Sequence, residues 1–91
     1  MKKTIKVRVF GLVQGIGYRN FVKNSADNLN IKGYVSNNED GSVTVAASGD
    51  AEKLEEFKEK CKKGPKFANV NNIEFKDIEI DDDFTNFEIR I

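Results

Sequence analysis

Residues 4–19 read TIKVRVFGLVQGIGYR, and this stretch contains the pattern of the first elements of the fold. In its first ten residues the odd positions 5, 7, 9 and 13 carry isoleucine or valine, and Lys6 and Arg8 lie between them, which is the period-two pattern of a strand with one buried face. Gly15 and Gly17 then end the strand. Over residues 20–31, Val22, Ala26 and Leu29 form one helical stripe. The stretch therefore predicts a strand, a glycine-rich loop and a helix in immediate succession.

The residues that follow predict a β-hairpin. A short strand is expected over roughly 32–38, and a return strand over 42–48. Between them, the sequence Asn-Glu-Asp-Gly at 38–41 suits a tight turn, because an Asp-Gly pair tolerates the positive φ that such turns need.

The second helix is expected directly after the hairpin. Asp50 is placed to cap its N-terminus, and lysines in its last turn oppose the helix dipole. Gly64-Pro65 is expected to end it. Its apolar side chains recur at helical spacing and predict one buried stripe, formed by Ala51, Leu54, Phe57 and Cys61.

The last part of the chain predicts two more strands. Ile73 and Phe75 mark the first, which is expected to end or bulge near residues 76–77 because the next isoleucines have the opposite parity. An acidic run at 81–83 is expected to form a solvated turn. A final short strand is expected over 87–91, and its pairing partner is left open by the sequence.

The predicted order of elements is β-α-β-β-α-β with a short extra strand, in a single domain of residues 1–91. Isoleucine and valine together number 16 against 3 leucines, which favours strands over a helical bundle. The order is typical of an α+β, ferredoxin-like sandwich, in which an antiparallel sheet carries both helices on one face.

The charge and residue inventory excludes several classes of function. Fifteen cationic and fifteen anionic side chains leave no net charge to hold a nucleic acid. The chain has no histidine, which removes histidine general bases and most zinc sites. Its one cysteine, Cys61, cannot form an intramolecular disulfide and suits a reducing compartment. No stretch approaches transmembrane length, so we expect a soluble, cytoplasmic protein.

The glycine-rich loop is the candidate functional site. Glycines allow successive backbone N–H groups to converge, and the following helix adds its free N–H groups and positive dipole end. Arg19 adds a planar cation that can grip a phosphate with two hydrogen bonds. The loop lacks the Gly-Lys-Ser/Thr ending of a Walker A loop and the third glycine of a dinucleotide-binding motif. A plain strand-to-helix turn with an exposed arginine stays open as the alternative.

Two stretches resemble the acylphosphatase family: VFGLVQGIGYR at 9–19 and GYVSNNEDGSV at 33–43. The corresponding family patterns read roughly V-x-G-x-V-Q-G-V-G-F-R and G-W/Y-V-x-N-x-x-D-G-S/T-V. Ile16 and Tyr18 are conservative departures, and Ser36 stands where the family often has arginine. The Phe87-x-Ile89 ending also resembles that of the family, so the likeness spans essentially the whole chain.

The resemblance implies hydrolysis of acyl phosphates to a carboxylate and inorganic phosphate, without a metal or an organic cofactor. It also implies that Arg19 is the catalytic, phosphate-binding arginine and that Asn37 orients the attacking water. Periodicity does not choose between Asn37 and Asn38, whereas the register of the family motif favours Asn37. The resemblance implies that the phosphate is held by the loop, which comprises Gln14, Gly15, Ile16, Gly17, Tyr18 and Arg19.

Two alternatives share the predicted topology. RNA-recognition modules have the same element order, but their binding depends on several exposed aromatic side chains on the central strands, which this sequence largely lacks. An inactive anion- or partner-binding module is the other, and the presence of both Arg19 and Asn37 argues against it. The expected partners are therefore a small acyl phosphate and inorganic phosphate, with no nucleic acid and no membrane. A monomer is expected.

Overall fold

The structure is a computed structural model that describes residues 1–79 and 84–90. Within these residues five strands form one sheet, in the order β4-β1-β3-β2-β5, accompanied by two helices. The elements in chain order are β1 (Lys2–Leu12), α1 (Tyr18–Asn28), β2 (Lys32–Asn37), β3 (Val43–Asp50), α2 (Ala51–Lys63), β4 (Asn69–Asp77) and β5 (Phe87–Arg90). The predicted ferredoxin-like α+β fold is confirmed. The expected acidic turn at 81–83 lies outside the described residues.

The first four strands pair in an antiparallel manner, as expected. β1 is an inner strand that pairs with both β3 and β4, and β3, in the middle of the sheet, also pairs with β2. β5 pairs with β2 in the parallel direction, with Gly33 opposite Phe87 and Ser36 opposite Arg90. This pairing answers the question that the sequence left open, and it makes the sheet mixed at one edge.

The core lies between one face of the sheet and the two helices. Helix α1 packs on β2 and β5, and helix α2 packs on β1 and β3. The strand registers align one row of side chains across all five strands, and the three central members of this row are fully buried. From one edge to the other, the row is Phe75, Val7, Val45, Val35 and Ile89. The period-two pattern of β1 therefore reports the buried face correctly.

The start of α2 differs from the expectation for Asp50. This residue occupies the capping position with extended φ and ψ, but its side chain makes no capping hydrogen bond. Its Oδ1 lies 3.5 Å from the N-terminal ammonium group of Met1 instead. The carbonyl oxygen of Met1 accepts the hydrogen bond of the Ala51 N–H at 2.9 Å. The expected side-chain cap was wrong because the neighbouring N-terminus supplies both the acceptor and a charge partner.

The other ends of the elements agree more closely with the sequence. Gly64 ends α2 with φ 67°, and its N–H donates to the Lys60 carbonyl. Strand β4 ends at Asp77, where an end or a bulge was expected, and the bulge itself falls where Phe10 and Gly11 of β1 pair with β4. Within the described residues, no helix combines the length and the apolar character needed to cross a lipid bilayer.

Gly33 is the glycine on which the central sheet depends most directly. Its φ is 149°, and a Cβ atom there would overlap with the carbonyl oxygen of Ala46 on β3. Gly41, in the hairpin turn, has φ 92° with open space around the same position. We expect Gly33→Ala to lower the free energy of unfolding by about 3 kcal/mol or more, because it adds a backbone clash to the strain.

The matched control is Gly41→Ala, for which a loss of about 1 kcal/mol is expected from backbone strain alone. Urea denaturation of both variants provides the comparison. Equal losses for the two variants would contradict the close approach of β2 and β3 at Gly33.

Candidate active site

The loop between β1 and α1 curls because two of its glycines adopt left-handed conformations. Gly15 has φ 74° and Gly17 has φ 84°. Both are exposed, and a Cβ atom at either position would meet nothing within 4 Å. The glycines are therefore required by the backbone angles and not by lack of space. Gly17 also occupies the capping position of α1 and contributes no side-chain cap.

The backbone N–H groups of this loop are left without partners inside the protein. Among the described residues, no N–H of residues 15–20 donates a hydrogen bond to another protein group. The first intrahelical bond of α1 runs from the Phe21 N–H to the Gly17 carbonyl at 3.0 Å. No acidic side chain lies in the first turn of α1 to compensate these donors. A run of free N–H groups at a helix N-terminus is a site for a small anion.

Arg19 stands beside these groups with most of its hydrogen-bonding capacity unused. Its Nη1 donates to the carbonyl oxygen of Arg90 on β5 at 3.3 Å. Within the described part of the chain, Arg19 makes no ion pair. A guanidinium group has five N–H donors, so the contact with β5 orients the side chain and leaves donors for a ligand.

A cavity of about 140 Å³ opens at this loop. It is lined by Val13, Gly15, Gly17, Tyr18, Arg19, Asn20 and Ile89. Four of the six predicted loop residues therefore line one cavity, and the predicted catalytic arginine is one of these four. Ile89 was not predicted, because its place at the cavity depends on the parallel pairing of β5 with β2, which the local sequence does not encode.

Tyr18 contributes an anchor and not a ligand side chain. It is 1% exposed, and its hydroxyl group donates to the Cys61 carbonyl of α2 at 2.7 Å. Burial raises the pKa of Tyr18 well above its usual range, so the phenol stays neutral. Cys61 is buried, as its place in the predicted apolar stripe indicates, and this burial raises the pKa of its thiol to about 12. The Tyr18 side chain is therefore used as an anchor, and within the described residues its backbone N–H has no partner in the protein.

Gln14 and Ile16 turn their side chains away from the cavity. The Gln14 Nε2 donates to the carbonyl oxygens of Asn38 and Ser42, both at 2.8 Å. Ile16 is partly buried and packs against the core. Neither residue lines the cavity.

The two adjacent asparagines that the sequence could not separate have different surroundings. Asn38 uses its Nδ2 to donate to the hydroxyl oxygens of Ser42 and Thr44, at 2.9 and 2.8 Å. The Oδ1 of Asn37 is buried and has no hydrogen-bond partner. Among the described residues, it is the one buried side-chain nitrogen or oxygen atom in this situation. A buried acceptor without a partner costs about 1–3 kcal/mol, and a ligand or a water molecule that donates to it removes this cost.

Asn37 does not line the cavity itself. It lies two residues beyond Val35, which is the register partner of Ile89. Residues two apart on a strand share a face, so Asn37 is on the face of the sheet that carries Ile89. Among the described residues, no three acidic or thiol side chains come together in a way that could hold a metal ion.

Comparison with known proteins gives one consistent result. The family model described as acylphosphatase matches residues 5–89. An acylphosphatase of Thermotoga maritima is 46% identical over 71 residues, which cover 78% of this chain and 79% of the relative. An acylphosphatase of Oceanobacillus iheyensis is 41% identical and covers 94% of this chain and 96% of its own length. The crystal structure of acylphosphatase from Bacillus subtilis superimposes with a TM-score of 0.94 at 33% identity, covering both chains completely.

The free N–H groups predict that inorganic phosphate stabilises the folded protein. At a phosphate concentration of 100 times Kd, the stabilisation is expected to be about 2.7 kcal/mol, because the unfolded chain has no such site. For a domain of this size this is a rise in Tm on the order of 10 °C. Thermal unfolding with and without phosphate, with chloride at equal ionic strength as the control, is the measurement.

The same experiment tests the glycine geometry. Gly15→Ala is expected to reduce the phosphate-dependent rise in Tm, because φ 74° disfavours any other residue and the N–H groups lose their alignment. Gly41→Ala places the same change at another positive φ, in the hairpin turn. A full phosphate response in Gly15→Ala would contradict a binding site built on the loop backbone.

Proposed function

The chain belongs to the acylphosphatase family, and we propose that the loop of residues 14–19, together with Arg19 and Asn37, carries out its reaction. The curated relatives at 36–46% identity are acylphosphatases. The protein is accordingly an enzyme that hydrolyses an acyl phosphate to a carboxylate and inorganic phosphate. The individual residue roles are derived below from the geometry of the site.

One observation carries the proposal: Gly15, Gly17, Tyr18, Arg19 and Asn20 line one cavity, and within the described residues their backbone N–H groups have no partner in the protein. Transfer of a phosphoryl group passes through a loose transition state with negative charge on the equatorial oxygens. Fixed N–H donors and a guanidinium group stabilise that charge without having to reorganise. The loop therefore serves as the phosphate cradle, with its backbone as the ligand.

In this proposal Arg19 is the catalytic cation. Its contact with the Arg90 carbonyl holds the side chain near the helix N-terminus. The remaining N–H groups of the guanidinium can form two parallel hydrogen bonds to phosphate oxygens. A cation at the N-terminus of a helix is unfavourable by itself, and the bound phosphate offsets that cost because it is attracted by both the cation and the helix dipole.

Asn37 is proposed to orient the attacking water through its Oδ1, which is buried and lacks a partner. The water oxygen attacks phosphorus while the bond between phosphorus and the acyl oxygen breaks. The carboxylate leaves with the electron pair, and it is a good enough leaving group to need no general acid. The proton of the water passes to an oxygen of the phosphate, so no basic side chain is required.

Asn37 is preferred over Asn38 because the amide of Asn38 is already committed. Its Nδ2 bonds two hydroxyl oxygens within the hairpin, and these bonds stabilise the turn. An amide that is fixed in this way would have to break protein contacts in order to bind a water differently.

The finer properties of the enzyme belong to the same proposal. We infer that residues 1–91 act as a single domain and a monomer, in the cytoplasm, without a metal or an organic cofactor. The buried, unpaired Cys61 supports a reducing compartment. The balanced charge of the chain argues against binding to nucleic acid, and an RNA-recognition role is not favoured for a member of this family.

Arg19→Ala is expected to lower kcat/KM for benzoyl phosphate by about 10²- to 10³-fold, as loss of a preorganised charge donor does. Arg19→Lys should recover little of this loss, because a point charge does not reproduce the planar fork. Steady-state kinetics on both variants is the measurement, with Lys23→Ala on α1 as a control that removes a cation paired with Asp27. Near-normal turnover of Arg19→Ala would refute the assignment.

Asn37→Ala is expected to lower kcat much more than it weakens phosphate binding, because orientation of the water matters in the reaction and little in the binding of the anion. Asn38→Ala should instead lower the free energy of unfolding by about 1 kcal/mol through its lost hydrogen bonds, with a smaller effect on kcat. The reverse ranking of kcat for these two variants would show that the register is misassigned.

The rate is expected to be flat between about pH 5 and 8. Arginine stays charged and asparagine does not titrate, and the raised pKa values of Tyr18 and Cys61 keep both groups neutral in this range. A pH–rate profile with and without EDTA is the measurement, using a substrate whose own pKa lies below the range. A limb near neutrality would reveal a general base, and a loss of activity in EDTA that a divalent ion restores would exclude the metal-free mechanism.

A further inference from the structure

The side chain of Gln14 links the phosphate cradle to the hairpin between β2 and β3. Its Nε2 donates one hydrogen bond to the Asn38 carbonyl and one to the Ser42 carbonyl, each 2.8 Å long. A primary amide nitrogen has two hydrogens, so both are used in this contact. None is left for a phosphate oxygen, and the role of this side chain must lie elsewhere.

The hairpin turn that accepts the hydrogen bonds of Gln14 is stabilised by several contacts of its own. The Asn38 N–H donates to the Ser42 carbonyl at 2.8 Å, and the Asn38 side chain bonds Ser42 and Thr44. Asp40 accepts hydrogen bonds from the Ser42 hydroxyl group and the Ser42 N–H, and these bonds lower the pKa of the Asp40 carboxyl group. Arg8 of β1 adds an ion pair with Asp40 at 2.8 Å. These contacts make the turn rigid, so the hydrogen bonds from Gln14 to the turn can restrain the loop.

The loop itself has few other restraints on this side. Its two glycines are exposed, and none of the N–H groups of residues 15–20 bonds within the described protein. Gln14 donates a hydrogen bond to the carbonyl oxygen of Asn38, and Asn37 is the residue immediately before Asn38. The Gln14 contact thus connects the start of the cradle to the residue next to the proposed water-orienting asparagine.

We infer that Gln14 is a positioning residue, which sets the distance and orientation between the phosphate cradle and Asn37 so that the bound water is in line with the scissile bond. The inference rests on the proposed roles of the loop and of Asn37. Gln14 contacts neither the phosphate nor the water through its side chain. Because attack on phosphorus is sensitive to displacements of about 1 Å, losing the link reduces kcat while phosphate binding persists.

The first experiment exchanges the donor for an acceptor. In Gln14→Glu, an ionised carboxylate would face two carbonyl oxygens with no hydrogen to donate, whereas the protonated acid restores one donor. We expect kcat on benzoyl phosphate, relative to the parent enzyme, to fall at least about tenfold at pH 8 and to recover as the pH is lowered towards 5. The Kd for inorganic phosphate is expected to change less than about threefold.

The matched control is Asn24→Asp. Asn24 lies on the exposed side of α1, so this variant adds the same negative charge through the same amide-to-acid change. Its kcat relative to the parent should not vary with pH. Taking each rate relative to the parent at the same pH removes the ionisation of the substrate, and urea denaturation at each pH confirms that the variant is folded.

The second experiment is a double-mutant cycle between Gln14→Ala and Asn37→Ala. If Gln14 acts through the placement of Asn37, Gln14→Ala lowers kcat in the parent enzyme but has little further effect once Asn37 is removed. Fully multiplicative effects would overturn the inference. So would equal losses of kcat and phosphate affinity in Gln14→Glu, which would make Gln14 a phosphate ligand, or a kcat loss that does not change with pH.

Failure of the inference can be separated from failure of the proposed function. A large effect of Asn37→Ala combined with an independent effect of Gln14→Ala rejects only the positioning role. If Asn37→Ala leaves kcat unchanged in the parent enzyme, the water-orienting role is wrong and the inference falls with it.

Discussion

The burial of Tyr18 is the interaction on which the geometry of the site depends. This ring lies at the first position of α1 and is almost completely inaccessible. Its hydroxyl group bonds the last turn of α2, and a Cβ atom at Gly64 would come within 3.3 Å of the ring. The start of α1 is therefore fixed against α2, while the residues on either side of Tyr18 remain open to solvent. A rigid anchor next to free N–H groups is what preorganised binding of an anion needs.

The loop also has energetically unfavourable features, and the stability of the rest of the fold compensates for them. It places two residues at positive φ, leaves a run of backbone donors without partners, and sets a cation at a helix N-terminus. A cation at a helix N-terminus is unfavourable, and positive φ restricts two positions of the loop to glycine. Local conflicts of this kind concentrate at functional sites. In the proposed site a small oxyanion would compensate for them together, by accepting hydrogen bonds from the free N–H groups and pairing with Arg19.

The sequence predicted what is local and missed what depends on distant partners. The alternation in β1 and the apolar stripe of α2 report burial directly, so the fold and the loop could be predicted. Asp50 was a good candidate for a cap, yet an N-terminus that is close only in space took that role. The parallel pairing of β5, and with it the place of Ile89 at the cavity, depends on a contact between chain segments about fifty residues apart. The same holds for Gln14, whose amide donates to carbonyl groups 24 and 28 residues further along the chain.

The main chain and the side chain of Arg90 make separate contacts. Ser36 stands where the family often has arginine, and Arg90 is its direct partner in the parallel register. The guanidinium group of Arg90 nevertheless stacks on the ring of Tyr34 at 4.0 Å and lies 3.6 Å from a carboxylate oxygen of Glu88. Its main-chain carbonyl, in contrast, holds Arg19. Arg90 therefore orients Arg19, the proposed catalytic cation, through its main chain and not through its own charge. In the proposed mechanism, and within the described residues, the phosphate interacts with one guanidinium group and with backbone dipoles, so the fixed alignment of those dipoles has to supply much of the stabilisation.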